Sequence, residues 1–86
     1  MDINELIAIV KKKLQSKIKI ENINIENRSH LHKNHVGNED GKFHLKLTLK
    51  SSELKKMSRI DSNKKIHKAI DKEIKQFIHS IQILIS

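Results

Sequence analysis

The 86-residue sequence contains no cysteine, and this absence removes two classes of site. A chain without thiols cannot form a disulfide framework, and it cannot offer a thiolate to a metal ion. Chemistry based on the chain's own cysteine sulfur is therefore excluded.

Long apolar runs are also missing. No run approaches the ~18 to 20 residues that a membrane-spanning helix needs. The chain begins with the acidic residues Asp2 and Glu5, whereas a secretory signal begins with a basic region. We therefore expect a soluble, intracellular protein, cytoplasmic in location, with no membrane partner.

Aromatic side chains are almost absent, since the sequence has no tryptophan or tyrosine and only Phe43 and Phe77. Their positions in apolar patterns assign both phenylalanines to the core. Little aromatic surface is left for stacking on nucleic-acid bases, and no Gly-x-x-Gly phosphate loop is present. Sequence-specific readout of nucleic acid is therefore poorly supported.

The small size indicates one domain, residues 1–86, with too little interior for an enclosed catalytic cavity. The paired carboxylates Glu39 and Asp40 stand side by side on a loop without such a cavity, and no nucleophile with a positioned base is evident. We expect no enzymatic activity. The formal charge of +8 favours nucleic acid or an acidic protein as partner without choosing between them.

The first third of the chain predicts a helix followed by a strand. Asp2 and Glu5 have the spacing of a capping box, and an apolar stripe from Ile3 to Leu14 predicts a helix over residues 3–15. Lys11–Lys13 are interpreted as a solvated face near the helix end, with a phosphate contact as the alternative. Alternation of isoleucine with polar residues then predicts a strand over 21–27.

The rest of the chain predicts two more strands and the helices between them. After a long loop over 28–42, period-two alternation predicts a second strand over Phe43–Lys50, with His44 on its polar face. Ser51 and Ser52 predict the cap of a short turn, and Asp61 predicts the N-cap of one long helix. That helix buries five apolar residues: Ile66, Ala69, Ile70, Ile74 and Phe77. Alternation at Ile81, Ile83 and Ile85 predicts the third strand.

These elements follow the order α, β, β, α, α, β. Helices between the second and third strands allow a right-handed crossover that makes those strands parallel neighbours. The predicted fold class is α+β, a two-layer domain with a three-stranded mixed sheet.

Three of the six histidines lie within residues 29–37, a segment too polar for a core. A connection this long is more often functional than accidental. His30, His32 and His35 would make a weak zinc site by themselves, because nothing nearby orders them.

Short motifs along almost the whole chain resemble the BolA family. They are Ser29-His30-Leu31-His32, His35-Val36-Gly37, His44, Ser51, Ile66-His67 and Ile78-His79-Ser80-Ile81. Their order and spacing carry the resemblance. Two positions depart from it, since Ser62-Asn63-Lys64 replaces a basic triplet and Leu54 replaces an aromatic residue.

The resemblance implies a class II KH-like fold and a partnership with a monothiol glutaredoxin. In such a heterodimer the partner and glutathione supply thiolates to a shared [2Fe-2S] cluster, and the BolA-like protein supplies histidine. The implied metal ligands here are His79 and one loop histidine, His32 or His35, with His32 slightly favoured. We expect the isolated protein to hold no cofactor and to be a monomer or weak dimer.

The other histidines are expected to have structural roles. His44 is expected to be a cross-strand neighbour on the exposed sheet face, His67 a packed or capping residue, and His30 simply exposed.

The resemblance also implies a second function, DNA binding in transcriptional regulation. Basic side chains around the crossover helices are the candidates for phosphate contact: Lys55, Lys56, Arg59, Lys64, Lys65 and Lys68. The alternative is a solvated basic face that docks an acidic partner, such as the glutaredoxin itself.

Overall fold

Four helices and three strands make up residues 1–29 and 42–86, the part of the chain that the computed structural model describes. In chain order they are α1 (Ile3–Lys17), β1 (Asn22–Asn27), β2 (Phe43–Lys50), α2 (Ser52–Lys55), α3 (Arg59–Ala69), α4 (Asp71–Phe77) and β3 (Ile78–Ile85). The predicted α+β class is confirmed, with one more helix than the sequence pattern predicted. None of the described helices has the length and hydropathy needed to cross a bilayer.

The three strands form one mixed sheet in the order β1-β2-β3. β1 pairs antiparallel with β2, placing Ile25 opposite Leu47. β2 pairs parallel with β3, placing Leu47 opposite Ile83. The predicted mixed sheet and the parallel crossover pair are therefore both present, and β2 is the central strand.

A single core lies between the sheet and the helices. Leu45, Leu47 and Leu49 of β2 are at most 2% exposed, while the alternate residues Thr48 and Lys50 are exposed. The leucines share one apolar cluster with residues of α1 (Leu6, Val10, Leu14) and of the crossover helices (Ile66, Ala69). The period-two pattern of β2 thus has the predicted result, one face covered by helices and one open to solvent.

Helix α1 begins as the sequence predicted and ends two residues later. The Asp2 side chain accepts a hydrogen bond from the Glu5 N–H at 2.9 Å, which satisfies one of the unpaired amides of the first turn. The helix ends after Lys17 because Ile18 takes an extended conformation and its side chain enters the core.

One lysine of the Lys11–Lys13 group has a structural role. Lys11 and Lys12 are exposed as interpreted from the sequence, but the Lys13 ammonium lies 2.6 Å from the Glu73 carboxylate. The Glu73 side chain is only 5% exposed, and its second oxygen, Oε1, has no hydrogen-bond partner among the described residues. The ion pair joins α1 to α4 across the edge of the core.

The single long helix predicted after the second strand is in fact two helices. α3 is capped by Ser58, whose hydroxyl accepts from the Asp61 N–H, so the prediction of Asp61 as N-cap was wrong by three residues. α3 ends and α4 begins at Ile70, whose φ of −122° and ψ of 31° are not helical. Ile70 is fully buried, and the bend at this residue lets both helices cover the sheet.

The junction between β2 and α2 is held by side-chain caps. Ser51 is fully buried, and its hydroxyl donates to the Lys19 carbonyl at 2.7 Å and accepts from the Leu54 N–H at 3.2 Å. Ser52 binds the Glu21 carboxylate, and Lys65 lies 2.6 Å from the Glu53 carboxylate. These contacts attach the turn between α1 and β1 to the start of the crossover.

Acid should weaken this junction. The Ser52 hydroxyl lowers the pKa of Glu21, and the bond from Lys65 lowers the pKa of Glu53, both from an ordinary value of 4.5. A carboxylate whose pKa is lower in the folded state stabilises the fold above its unfolded pKa, and this stabilisation is lost as pH falls through the folded value. We expect stability to decline below about pH 4.5 more steeply in the wild type than in Glu21→Gln/Glu53→Gln, as measured by urea unfolding at several pH values. Equal slopes would contradict this.

Candidate functional site

Three strand ends meet at one end of the sheet. β1 ends there at Asn27, while β2 and β3 begin there, because β1 is antiparallel and β3 parallel to β2. Beyond β1, the Arg28 N–H donates to the His44 carbonyl at 2.7 Å. The Ser29 hydroxyl accepts from the His44 N–H at 3.0 Å. The chain thus leaves this end of the sheet after Ser29 and returns to it at the start of β2.

A β-bulge places His79 at the same end. Phe43 pairs with Ile78, and the next residue, His44, pairs with Ser80, so His79 is the extra residue of β3. Such a bulge interrupts the alternation of a strand and redirects a side chain. His79 is exposed although the preceding Ile78 is buried. The predicted ligand is therefore accessible to a partner molecule.

His44 is buried, which corrects the prediction that it lies on the exposed sheet face. It is 7% exposed, and its Nδ1 lies 2.6 Å from the Ser80 hydroxyl. Its ring centroid lies 4.9 Å from that of His79, with the two planes inclined at 57°. The bulge brings Ser80 opposite His44, and the hydrogen bond fixes a ring against which His79 packs. The buried His44 ring thus packs against the exposed His79 ring and supports it. The alternation of β2 did not indicate this role.

Of the remaining four histidines, one is exposed and three lie in the part of the chain that the structure does not describe. His67 is exposed in the last turn of α3, so of its two predicted roles, packed or capping, the packed one is wrong and the capping one stays a prediction. His30, His32 and His35 lie outside the described residues. Their assignment as metal ligands stays a prediction.

The donor set of this end is small. Residues 1–29 and 42–86 contain no group of three or more histidine, cysteine or acidic side chains placed to hold one metal ion. What the bulge provides is an accessible imidazole on a rigid strand, backed by a second ring. An imidazole of this kind is suited to completing a metal site whose other ligands come from elsewhere.

The predicted basic residues lie at the end of α2 (Lys55), in the turn after it (Lys56) and on α3 (the other four). Lys55, Lys56, Arg59, Lys64 and Lys68 are exposed. Lys65 differs from them because its ammonium is paired with Glu53. Five of the six predicted phosphate contacts are thus available to a partner.

Comparison with known proteins supports one family. A family model described as BolA-like protein matches residues 14–86. The DNA-binding transcriptional regulator BolA of Haemophilus influenzae is 27% identical over 75 residues, which cover 87% of this chain and 70% of the relative. Since the family match covers most of the chain, it is decisive for membership.

Solved structures show the same fold at lower identity. The BolA domain of SufE1 from Arabidopsis thaliana has a TM-score of 0.76 and 19% identity, and the match covers 92% of this chain and 87% of that domain. BolA1 from Arabidopsis thaliana has a TM-score of 0.77 and 20% identity, with the same coverage. The chain, with its mixed sheet and its bulged histidine at the start of β3, belongs to the BolA-like family.

Proposed function

We propose that this chain is an accessory protein of iron-sulfur cluster handling that pairs with a monothiol glutaredoxin. In the heterodimer it supplies imidazole to a shared [2Fe-2S] cluster through His79 and one loop histidine, His32 or His35. The glutaredoxin and glutathione supply the thiolates.

The observation that carries the proposal is the exposed His79 on the β3 bulge. The residues that flank the segment 30–41 lie at the same end of the sheet, because Ser29 binds the His44 backbone and β2 begins at Phe43. Both described flanks of the segment that carries His32 and His35 are therefore at the end of the sheet where His79 lies. A cluster with four ligand positions can take two from this end and two from a partner.

The residues present fit the chemistry of such a cluster. Imidazole replaces thiolate on iron in clusters of mixed ligation and raises their reduction potential. The chain has six histidines and no cysteine, so it offers this type of ligand and no competing thiolate. Ser80 holds the His44 ring through a hydrogen bond, and the His44 ring orients the His79 imidazole, as neighbours of metal ligands commonly do.

The proposal is tested by titrating the chain into cluster-loaded monothiol glutaredoxin and recording visible circular dichroism. Exchange of a thiolate for an imidazole on iron changes the ligand field of the cluster, so we expect a new spectrum that saturates at one chain per glutaredoxin. A spectrum that stays that of the glutaredoxin alone would overturn the proposal.

DNA binding is the second candidate function, and two observations favour it. The Haemophilus influenzae relative is named a DNA-binding transcriptional regulator. In addition, the described part of this chain presents five exposed basic side chains on α2, on α3 and in the turn between them: Lys55, Lys56, Arg59, Lys64 and Lys68. Contacts of this kind bind phosphates without reading bases.

Salt dependence tests this candidate. If Lys64 and Lys68 contact phosphates, Lys64→Gln/Lys68→Gln should reduce the slope of log affinity against log salt by about 1.8, because each contact contributes about 0.9. The comparison variant Lys11→Gln/Lys12→Gln, on α1, should leave the slope unchanged if those lysines form only a solvated face, whereas a reduced slope would support their alternative role as phosphate contacts. Fluorescence anisotropy on a related and a scrambled duplex measures both. Equal slopes in all three proteins would contradict the assignment of these lysines.

A further inference from the structure

No described residue pairs its backbone with the outer edge of β3. β3 is an edge strand, with β2 on its other side. The Ser86 N–H donates to the Leu49 carbonyl, and the Ser86 carbonyl accepts from the Ser51 N–H, so Ser86 faces β2. Backbone groups of successive strand residues point to alternate sides. The N–H and C=O groups of Ile83 and Ile85 therefore point away from the sheet.

A groove of about 270 Å³ runs along this edge, between β3 and the α2–α3 turn. Three consecutive residues of β3, Ile83 to Ile85, line it. Side chains of consecutive strand residues point to opposite faces, so all three can line one groove only where it follows the strand edge. Its other walls are Leu54, Lys55, Met57, Arg59, Ser62 and Asn63.

Beyond the bulge at its start, the β3 edge lacks two of the features that usually prevent pairing with another strand, charged residues and proline. Natural edge strands carry charged residues or proline, or they are covered by another element. β3 contains neither a charged residue nor a proline. Leu84, near the C-terminal end of β3, is 42% exposed.

The two charged residues that line the groove are both positive. Lys55 and Arg59 are exposed on its rim, and neither forms an ion pair with a residue of the described ranges. A chain of net charge +8 repels a second copy of itself at this surface. A negatively charged strand is attracted by both the rim and the net charge.

We propose that the β3 edge binds an extended acidic peptide segment of a partner protein as a fourth strand. The peptide backbone pairs with the outward groups of Ile83 and Ile85, an apolar side chain enters the groove, and acidic side chains meet Lys55 and Arg59. Nucleic acid fits less well. None of the described residues that line the groove is aromatic, and Phe43 and Phe77, the only aromatic residues of the phenylalanine, tyrosine and tryptophan types, pack against the core.

This surface is separate from the histidine site. His79 and Leu84 are five residues apart along β3, about 16 Å at the rise of an extended strand. The inference therefore does not depend on cluster binding. A partner can occupy the groove while His79 remains open.

The test uses the full chain labelled with ¹⁵N and a capped peptide in which valine alternates with glutamate. Binding should shift the backbone amides of β3 and of residues 54–59, and it should slow amide exchange at Ile83 and Ile85 at least tenfold, because those N–H groups gain acceptors. A peptide with lysine in place of glutamate should bind at least tenfold more weakly. No shift with the acidic peptide would overturn the proposal.

Charge reversal identifies the rim. Lys55→Glu/Arg59→Glu should weaken binding of the acidic peptide at least tenfold, whereas the matched Lys11→Glu/Lys12→Glu pair on α1 should change it less than threefold. Circular dichroism and thermal melting confirm that both variants fold. Equal weakening of peptide binding in the two variants would show that net charge alone controls the affinity, and it would overturn the assignment of Lys55 and Arg59 to the binding site.

Other occupants give distinct results, and each would overturn the proposal. Protection of Ile83 and Ile85 that rises with protein concentration in the absence of peptide would assign the edge to a second copy. Displacement of the peptide by single-stranded DNA, with the same amides shifted and no protection of Ile83, would assign the groove to nucleic acid.

Discussion

Replacing His79 with alanine should remove the change in visible circular dichroism that follows mixing with cluster-loaded monothiol glutaredoxin. His79 is the exposed residue of the β3 bulge, and its side chain packs only against the His44 ring among described aromatic neighbours. Its loss removes the proposed ligand without opening the core. The cluster should keep the spectrum of the glutaredoxin alone, and the saturable transition should disappear.

The matched control is His67→Ala. His67 is also exposed, but it lies on α3 rather than at the bulge. This variant should give the wild-type spectrum and titration. A His79→Ala protein that still produces the wild-type spectrum would exclude His79 as a ligand. Loss of the spectral change in both variants would show that the substitutions affect folding or docking. Thermal melts test folding, and gel filtration with the glutaredoxin tests docking.

Leu47→Ala should have the largest effect on stability. Leu47 is fully buried in the central strand, between Ile25 of β1 and Ile83 of β3. Removing a buried leucine side chain loses its transfer free energy and leaves a cavity, at a cost of about 3 kcal/mol. A domain of this size has a total stability of roughly 4 to 13 kcal/mol. The substitution should therefore lower the urea midpoint strongly.

Leu84→Ala is the control for this effect, since Leu84 is 42% exposed on the edge strand. Its cost should stay below about 1 kcal/mol, because most of its surface is not transferred to the core. Urea unfolding followed by far-ultraviolet circular dichroism measures both variants. Similar costs for the two substitutions would mean that the core does not centre on β2.

The sheet and its core could be predicted because apolar periodicity depends on burial. The alternation of β2 predicted which residues face the helices, and Leu45, Leu47 and Leu49 are buried as expected. The break at Ile70 was missed because Ile66, Ala69, Ile70 and Ile74 continue the helical period through it. One signal was present: Lys68 is followed by Asp71 and Glu73, the change of sign expected where one helix ends and another begins.

The histidine site was less predictable because it depends on the β-bulge between β2 and β3. Alternation predicted His44 on the polar face of β2. The bulge instead brings Ser80 opposite His44 and places the His44 and His79 rings next to each other. An extra residue in one strand depends on pairing between distant segments, which the local pattern does not contain. Glu73 is a similar case, since its burial follows from contact with Lys13 of a different helix.

The central position of β2 has a consequence for how the protein folds and opens. Both of its pairings join distant parts of the chain, across residues 28–42 on one side and residues 51–77 on the other. An isolated two-stranded ribbon is only marginally stable in water, and here the loss of either neighbour also exposes the β2 leucines that share the core with the helices. The histidine end and the groove edge therefore form and melt together, and a partner that binds at either place protects the other from local unfolding.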